Sequence, residues 1–196
     1  PPGRQARNIL GGRMKTNSGL RSQTTRKCIL ILGGSRSGKS TYAESLAERH
    51  EGPHIYIATA EAKDPEMAAR INEHRKRRGP FWNTLESPLN LISSIKQNST
   101  SKNIILVDCL TIWISNLMMA NYSVIDESEN LAKLMSQIEG TIIFVSNEVG
   151  QGIVPDNPLA RTFRDYSGNL NQLIAKVADE VYLVTAGIPI NIKKNK

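Results

Sequence analysis

From Lys27 onward, short continuous apolar runs alternate with stretches of helical period. The runs cover residues 28–32, 54–58, 104–107, 141–146 and 180–185. Their apolar residues are consecutive rather than alternating, which predicts strands covered on both faces. Between them, residues 40–50 carry Ala43, Leu46 and Ala47 on one helical face. Residues 65–78 follow an acidic start at Asp64, and 110–121, 127–139 and 157–178 complete the predicted helices. Strands alternating with helices predict an α/β sandwich on a parallel sheet. No internal repeat and no second composition regime occurs, so residues 27–196 are expected to form one domain.

The first 26 residues break this pattern. They are rich in Gly, Arg, Ser, Thr and Asn, lack apolar periodicity, and read as a disordered basic leader. The chain opens on Pro, and Met14 is a candidate internal start. An Arg- and Ser-rich, acid-poor segment has the composition of a transit peptide, but no clean amphipathic helix forms and no secretory h-region precedes the body. The charge follows the same boundary. Of the 25 Lys and Arg, seven (Arg4, Arg7, Arg13, Lys15, Arg21, Arg26, Lys27) fall in residues 1–27, where no acid occurs. The rest of the chain carries equal numbers of basic and acidic side chains. The net +7 is therefore a property of the leader, and it does not make the body a nucleic-acid binder.

With 196 residues, 39% of them hydrophobic, the chain can bury one sizeable core. The apolar runs are too short to span a bilayer. Cys28 and Cys109 both lie inside apolar runs, which argues against a disulfide framework or structural zinc and suits a reducing cytoplasm.

The strongest chemical signal is Gly33-Gly34-Ser35-Arg36-Ser37-Gly38-Lys39-Ser40, a match to the phosphate-binding loop G-x-x-x-x-G-K-[ST]. Gly33 and Gly38 let the backbone turn its N–H groups toward phosphate oxygens. Lys39 supplies a mobile positive charge for the β and γ phosphates, and the Ser40 hydroxyl can ligate Mg²⁺. A helix beginning near Lys39 adds the positive end of its dipole. The flanks agree, with a strand ending at the loop and a helix leaving it.

Asp108 follows the aliphatic run Ile104-Ile105-Leu106-Val107, at a predicted strand's carboxyl end where open α/β sheets bind ligands. It reads as a second Mg²⁺ ligand or as a cap for the following helix. On residues 65–78, Arg70 and His74 share a helical face with Arg77 and Arg78 one turn on. Periodicity alone makes this a solvated basic face; beside a triphosphate it becomes an anion-binding patch. The neighbouring cations disfavour a protonated imidazole, so His74 should be neutral and nucleophilic. His50 and His54 flank Gly52-Pro53 and read as surface turn residues. The segment Val145-Ser146-Asn147-Glu148-Val149-Gly150, continued by Gly152-Ile153-Val154-Pro155, places polar residues just after a buried strand, where they can face a ligand or simply cap a loop. Arg161-Thr162-Phe163-Arg164-Asp165 leaves the same choice open.

Together these pieces resemble the bifunctional adenosylcobinamide kinase/adenosylcobinamide-phosphate guanylyltransferase family of cobalamin (vitamin B12) biosynthesis. Matching stretches are 33–40, 56–59, 66–75, 82–86, 108–116, 146–155, 159–165 and 178–187. Asn147-Glu148-Val149-Gly150 with Gly152-Ile153-Val154-Pro155 is more discriminating than the phosphate loop. The resemblance implies a RecA-like P-loop three-layer sandwich with a mostly parallel sheet, assembled as a trimer. It implies that ATP or GTP phosphorylates adenosylcobinamide, and that GTP then gives GMP to a histidine, matched by His74, for transfer to the phosphorylated corrinoid. It places nucleotide contacts at Gly33, Gly34, Ser35, Arg36, Ser37, Gly38, Lys39, Ser40, Thr59, Ala60, Glu61, Arg75, Lys76, Arg77, Arg78, Glu86 and Asp108. One family member carries a His-His pair where this chain has Glu73-His74, and some carry Glu at the position of Asp108. Two other readings remain open on sequence. One is a phosphate-loop kinase without nucleotidyl transfer, which leaves His74 idle. The other is a nucleic-acid-binding module driven by the leader and Arg75–Arg78, against which stand the charge-neutral body and its 5% aromatic content.

Overall fold

The computed structural model describes residues 26–62 and 65–194, without the side chains of Glu66, Met67, Arg70, His74, Arg77 and Lys194. Residues 1–25 of the predicted leader, Asp64, and the side-chain roles assigned to Arg70, His74 and Arg77 therefore lie outside the described residues. Arg26, the last residue assigned to the leader, is tied to the domain by an ion pair with Asp179 at 3.9 Å.

Seven strands form one sheet in the order β3-β2-β4-β5-β1-β6-β7. They are β1 (Lys27–Gly33), β2 (His54–Ala58), β3 (Trp82–Glu86), β4 (Ile104–Asp108), β5 (Thr141–Asn147), β6 (Glu180–Thr185) and β7 (Ile188–Lys194). The first six pair in parallel, and β7 adds an antiparallel edge. The helices are α1 (Lys39–Ala47), α2 (Pro65–Arg78), α3 (Leu91–Asn98), α4 (Leu110–Met119), α5 (Val124–Leu134) and α6 (Pro158–Val177).

Strand side chains alternate between two cores. In β1, Cys28, Leu30 and Leu32 face the side covered by α3, α4, α5 and α6, where Trp113, Ile114, Leu131 and Ile174 are buried. Ile29 and Ile31 face the other side, with Ala43 and Ala47 of α1, Tyr56 and Leu106. Small residues on α1 let that helix approach the sheet closely. Two covered faces explain the unbroken apolar runs and make the three-layer sandwich expected from the resemblance.

Three elements were not predicted from the pattern. β3 is a half-exposed edge strand and so lacks a continuous apolar run. Helix α3 is short and serine-rich, with only Leu91 and Ile95 buried. Strand β7 contains Pro189, which an edge tolerates, and its turn Ala186-Gly187 takes positive φ at both residues, an unusual conformation for alanine. One predicted helix shifts: residues 127–139 are replaced by Val124–Leu134. The Ser123 side chain accepts from Asp126 N and caps the helix earlier, so the acids occupy its first turn. His54 is also not a turn residue. It begins β2, its Nε2 lies 2.8 Å from the Ala47 carbonyl oxygen, and its ring packs on Trp82 with centroids 5.0 Å apart.

Helix α6 is pinned at both ends. The Asn157 side chain accepts from Leu159 N and Ala160 N, with Pro158 at the first helical position. At the other end Lys193 Nζ of β7 donates to the carbonyls of Ala175, Lys176 and Ala178, at 2.7, 3.1 and 2.7 Å. A cation there meets the negative end of the helix dipole. Lys193→Met should cost about 1–2 kcal/mol and lower the melting temperature by roughly 2–8 °C, which calorimetry would register. An unchanged melting temperature would mean the cap contributes nothing.

Candidate active site

Parallel pairing places several strand ends on one edge of the sheet. In register, Gly33 of β1 pairs with Asn147 of β5, and Val145 of β5 with Asp108 of β4. Asp108 pairs with Ala58 of β2, and Ala58 with Glu86 of β3. The loops leaving these ends converge on a cleft lined by Lys39, Ser40, Tyr56, Ala58, Ala60, Ile71, Arg75, Arg78, Thr84, Glu86, Asp108, Cys109, Ile112 and Asn147.

The phosphate loop runs from the buried end of β1 into α1. Gly33 cannot carry a side chain, because a Cβ there would collide with Ser37 Oγ and lie 2.6 Å from the Val184 carbonyl oxygen. Gly38 caps α1 with φ 95°, a conformation that favours glycine, and a Cβ there would lie 3.2 Å from Gly187 Cα. The β6–β7 turn braces the loop further, as Gly187 N donates to the Ser37 carbonyl at 2.8 Å. Lys39 Nζ bends back to donate to the Gly34 carbonyl at 3.0 Å. Gly34, Ser35 and Arg36 are exposed, and Arg36 has φ 56°.

Asp108 sits at the end of β4, at the cleft wall. A compact hydrogen-bond network fixes the chain that leaves it. The wholly buried Thr59 donates from Oγ1 to the Cys109 carbonyl and accepts from Cys109 N, both at 2.8 Å. Asn116 of α4 donates to the carbonyls of Thr59 and Pro88, tying the ends of β2 and β3 to that helix. On β5, Asn147 N donates to Thr111 Oγ1 at 2.7 Å.

Helix α2 forms the opposite wall through Ile71, Arg75 and Arg78, at spacings i, i+4 and i+7. Arg75 and Glu86 form an exposed pair at 3.7 Å. Arg78 differs from a solvated basic residue. Its side chain is 3% exposed, its guanidinium carbon lies 3.4 Å from the centroid of the Tyr56 ring, and Nη1 is 3.7 Å from Glu44 Oε1.

Of the nucleotide contacts implied by the resemblance, the cleft thus gathers Lys39, Ser40, Ala60, Arg75, Arg78, Glu86 and Asp108. The hydroxyl of Thr59 is spent on the Cys109 backbone, while Glu61 and Lys76 are exposed outside the cleft lining. Position 74 lies on α2 beside Arg75. Tyr56, Thr84, Ile112 and Asn147 join the lining without having been assigned a site role, although Asn147 belonged to the polar segment after a buried strand. Tyr56 is concealed in sequence because it sits in the middle of a core strand.

Comparison with known proteins decides the family. The model of the cobinamide kinase / cobinamide phosphate guanyltransferase family matches residues 29–192. This chain belongs to that family. As a cobinamide kinase/guanylyltransferase it is a nucleotide-using enzyme of corrinoid chemistry. It is 44% identical over 166 residues to the bifunctional adenosylcobalamin biosynthesis protein CobP of Pseudomonas aeruginosa, covering 84% of this chain and 96% of that one. It is 40% identical over 181 residues to the protein CobU of Salmonella typhimurium, covering 84% and 99%. Among solved structures, a protein titled as project PH0250 from Pyrococcus horikoshii OT3 shares the fold at TM-score 0.50, 13% identity and 87% coverage of each chain. A type III secretion ATPase matches at TM-score 0.52 and 13% identity, over 81% of this chain and 51% of its own. These two structural likenesses concern the fold alone and agree with a RecA-like P-loop architecture. No helix among the described residues is long and apolar enough to cross a membrane.

Both thiols of this kinase/guanylyltransferase are buried. Burial first, then the Asp108 charge, pushes Cys109 up to about 12; burial and then Asp179 do the same for Cys28. Native protein should therefore resist iodoacetamide at about pH 8.5 and label at both cysteines once denatured, read by intact mass. Unfolded thiols ionise first as pH rises, so their contribution to stability is present below about pH 8.5 and is lost as pH climbs toward 12. Rapid labelling of Cys109 in the native protein would show that the cleft wall opens.

Proposed function

We propose that this chain carries adenosylcobinamide through both reactions in the one cleft. ATP or GTP gives its γ-phosphoryl group to the hydroxyl of the corrinoid's aminopropanol arm. GTP then gives GMP to His74, and the phosphorylated corrinoid takes the GMP, yielding adenosyl-GDP-cobinamide. The observation that carries this reading is the shared lining, in which Lys39, Ser40 and Asp108 face the same cleft as Arg75 and Arg78 of the helix bearing residue 74.

Both reactions displace an oxygen at phosphorus, the γ atom in the first and the α atom in the second. Each needs negative charge on phosphate oxygens neutralised by groups already in place. The phosphate-loop N–H groups and the start of α1 supply fixed dipoles, and Lys39 a mobile cation. The Arg75–Glu86 pair is exposed on both sides, so exchanging Glu86 for a phosphate costs Arg75 little. The Ser40 hydroxyl and the Asp108 carboxylate are hard oxygen donors in one cleft, a set that suits Mg²⁺ completed by phosphate oxygens and water. Bound there, the ion would supply further charge neutralisation at the phosphates.

His74 enters through its place on α2 and the family resemblance. An imidazole in its neutral form has a ring nitrogen able to attack phosphorus. Covalent transfer divides a displacement between two bulky partners into two simpler ones. We further place the enzyme in the cytoplasm as a homotrimer, with residues 27–196 as its catalytic domain; light scattering tests the assembly.

Lys39→Ala should reduce both activities at least about tenfold to a hundredfold, the scale of one lost charge-stabilising contact. Normal kinase turnover in that variant would mean the loop does not hold the donor.

His74→Ala should separate the reactions. Phosphorylated cobinamide should accumulate, while no label from α-labelled GTP is retained after denaturation. The wild-type adduct is a phosphoramidate, stable in base and labile in acid, and its formation should decline at acid pH as the imidazole gains a proton. Base-stable labelling of the alanine variant would refute His74 as the acceptor. A kinase without nucleotidyl transfer would retain no label even in the wild type.

A further inference from the structure

The carboxyl end of α2 is anchored by a buried contact that neither reaction requires as chemistry. Arg78, the last residue of the helix, turns inward over the face of Tyr56, with its guanidinium carbon 3.4 Å from the ring centroid. Nη1 lies 3.7 Å from Glu44 Oε1, and the two side chains are only 3% and 6% exposed. Tyr56 stands on β2; Glu44 stands on α1, the helix that opens with Lys39 and Ser40. Trp82 of β3 meets the Tyr56 ring edge-on, with centroids 6.3 Å apart. One guanidinium therefore joins α2 to the phosphate-loop helix and to the sheet. Arg78 Nε and Nη1 make no hydrogen bond among the described residues. The ring face and the Glu44 charge are thus two contacts that hold the helix end, and a desolvated cation over an aromatic face is a strong member of its class.

We propose that Tyr56 and Glu44 are positioning residues for guanylyl transfer, acting through Arg78 to set how α2 presents residue 74 to the nucleotide. This rests on the reading of His74 as the guanylyl acceptor. Residue 74 precedes Arg78 by four positions, about one turn, so the seating of Arg78 sets the placement of the backbone at 74. The step that depends on this is a displacement at the α phosphorus. A ring nitrogen of the neutral imidazole forms the N–P bond as the bond from the α phosphorus to the bridging oxygen breaks, and pyrophosphate leaves with that electron pair. A phosphate oxygen of the corrinoid then attacks the same phosphorus, the N–P bond breaks, and the imidazole is released. A displacement of about 1 Å at such a centre can cost about a hundredfold in rate. The γ-phosphoryl step does not use residue 74, so it should depend less on the clamp.

The test measures single-turnover labelling from saturating α-labelled GTP alongside kinase turnover, on the full chain. Tyr56→Leu removes the ring. It should slow labelling at least about tenfold more than it slows the kinase, consistent with losing a desolvated cation–π contact. Tyr56→Phe keeps the ring and should show little of this bias. Glu44→Gln should bias the two reactions in the same direction as Tyr56→Leu. Adding Arg78→Leu to the combined Tyr56→Leu and Glu44→Gln variant should add no further bias, since both contacts of the guanidinium are already gone.

Equal losses in the two reactions for Tyr56→Leu and Glu44→Gln, or no loss in either, would overturn the proposal. So would a bias in Tyr56→Phe as large as in Tyr56→Leu, which would assign the effect to the hydroxyl and its hydrogen bond with the Asp108 side chain. Should Tyr56→Leu fail to fold, Glu44→Gln decides: bias supports the clamp and its absence overturns it. Failure of the underlying reading is separately visible, because His74→Ala would then retain base-stable label however the Tyr56 variants behave.

Discussion

Parallel strand pairing is the constraint on which the cleft depends. Because β1, β2, β3, β4 and β5 all run the same way, Gly33, Ala58, Glu86, Asp108 and Asn147 finish on one edge of the sheet. Each crossover must then return over a face of the sheet, burying both surfaces. The same geometry that makes the apolar runs continuous therefore gathers polar side chains from distant parts of the sequence. Moving one register by a residue would turn Asp108 from the cleft side toward the opposite core. The network joining Thr59, Cys109 and Asn116 holds the chain just beyond that residue, where the ladder no longer does.

The phosphate loop has a second constraint, imposed from β6 and β7. Gly33 faces Ser37 and the Val184 backbone, and Gly38 faces Gly187. These glycines thus answer to packing, whatever the loop holds. A backbone hydrogen bond from Gly187 to Ser37 makes the hairpin turn a support for the loop. The antiparallel edge strand, outside the parallel pattern of the rest, braces the loop proposed to hold the nucleotide. Through Lys193 it also caps α6, so one short hairpin supports two elements.

That support could not be foreseen from local pattern. The phosphate loop and Asp108 were legible because each lies at the end of a continuous apolar run, and those runs correspond to β1 and β4. The β6–β7 turn was not, since Ala186 adopts a positive φ that alanine seldom takes and Pro189 interrupts the strand signal. Strand β3 was hidden by its exposed edge. The basic helix was legible only in part. Its charges predict a solvated face, yet Ile71, Arg75 and Arg78 all turn to the cleft, and Arg78 is buried. The i, i+4, i+7 spacing from an apolar residue carried that information, but the partners Tyr56 and Glu44 stand on other elements. Only tertiary packing brings them together.

The energetics of that packing bear on why it exists. Taking a carboxylate and a guanidinium out of water is costly, and their attraction offsets the cost well only with close, fully hydrogen-bonded geometry. Here Nη1 stands 3.7 Å from Glu44 Oε1, and Nε and Nη1 make no hydrogen bond among the described residues. A well-packed apolar trio of similar volume would hold the helix end at least as firmly. Such a trio would, however, let α2 slide or rotate over a smooth surface. A charge that must sit over one ring and beside one carboxylate admits far fewer arrangements. The pair is thus better accounted for by direction than by stability, and the proposed transfer through residue 74 is the step that would need direction most.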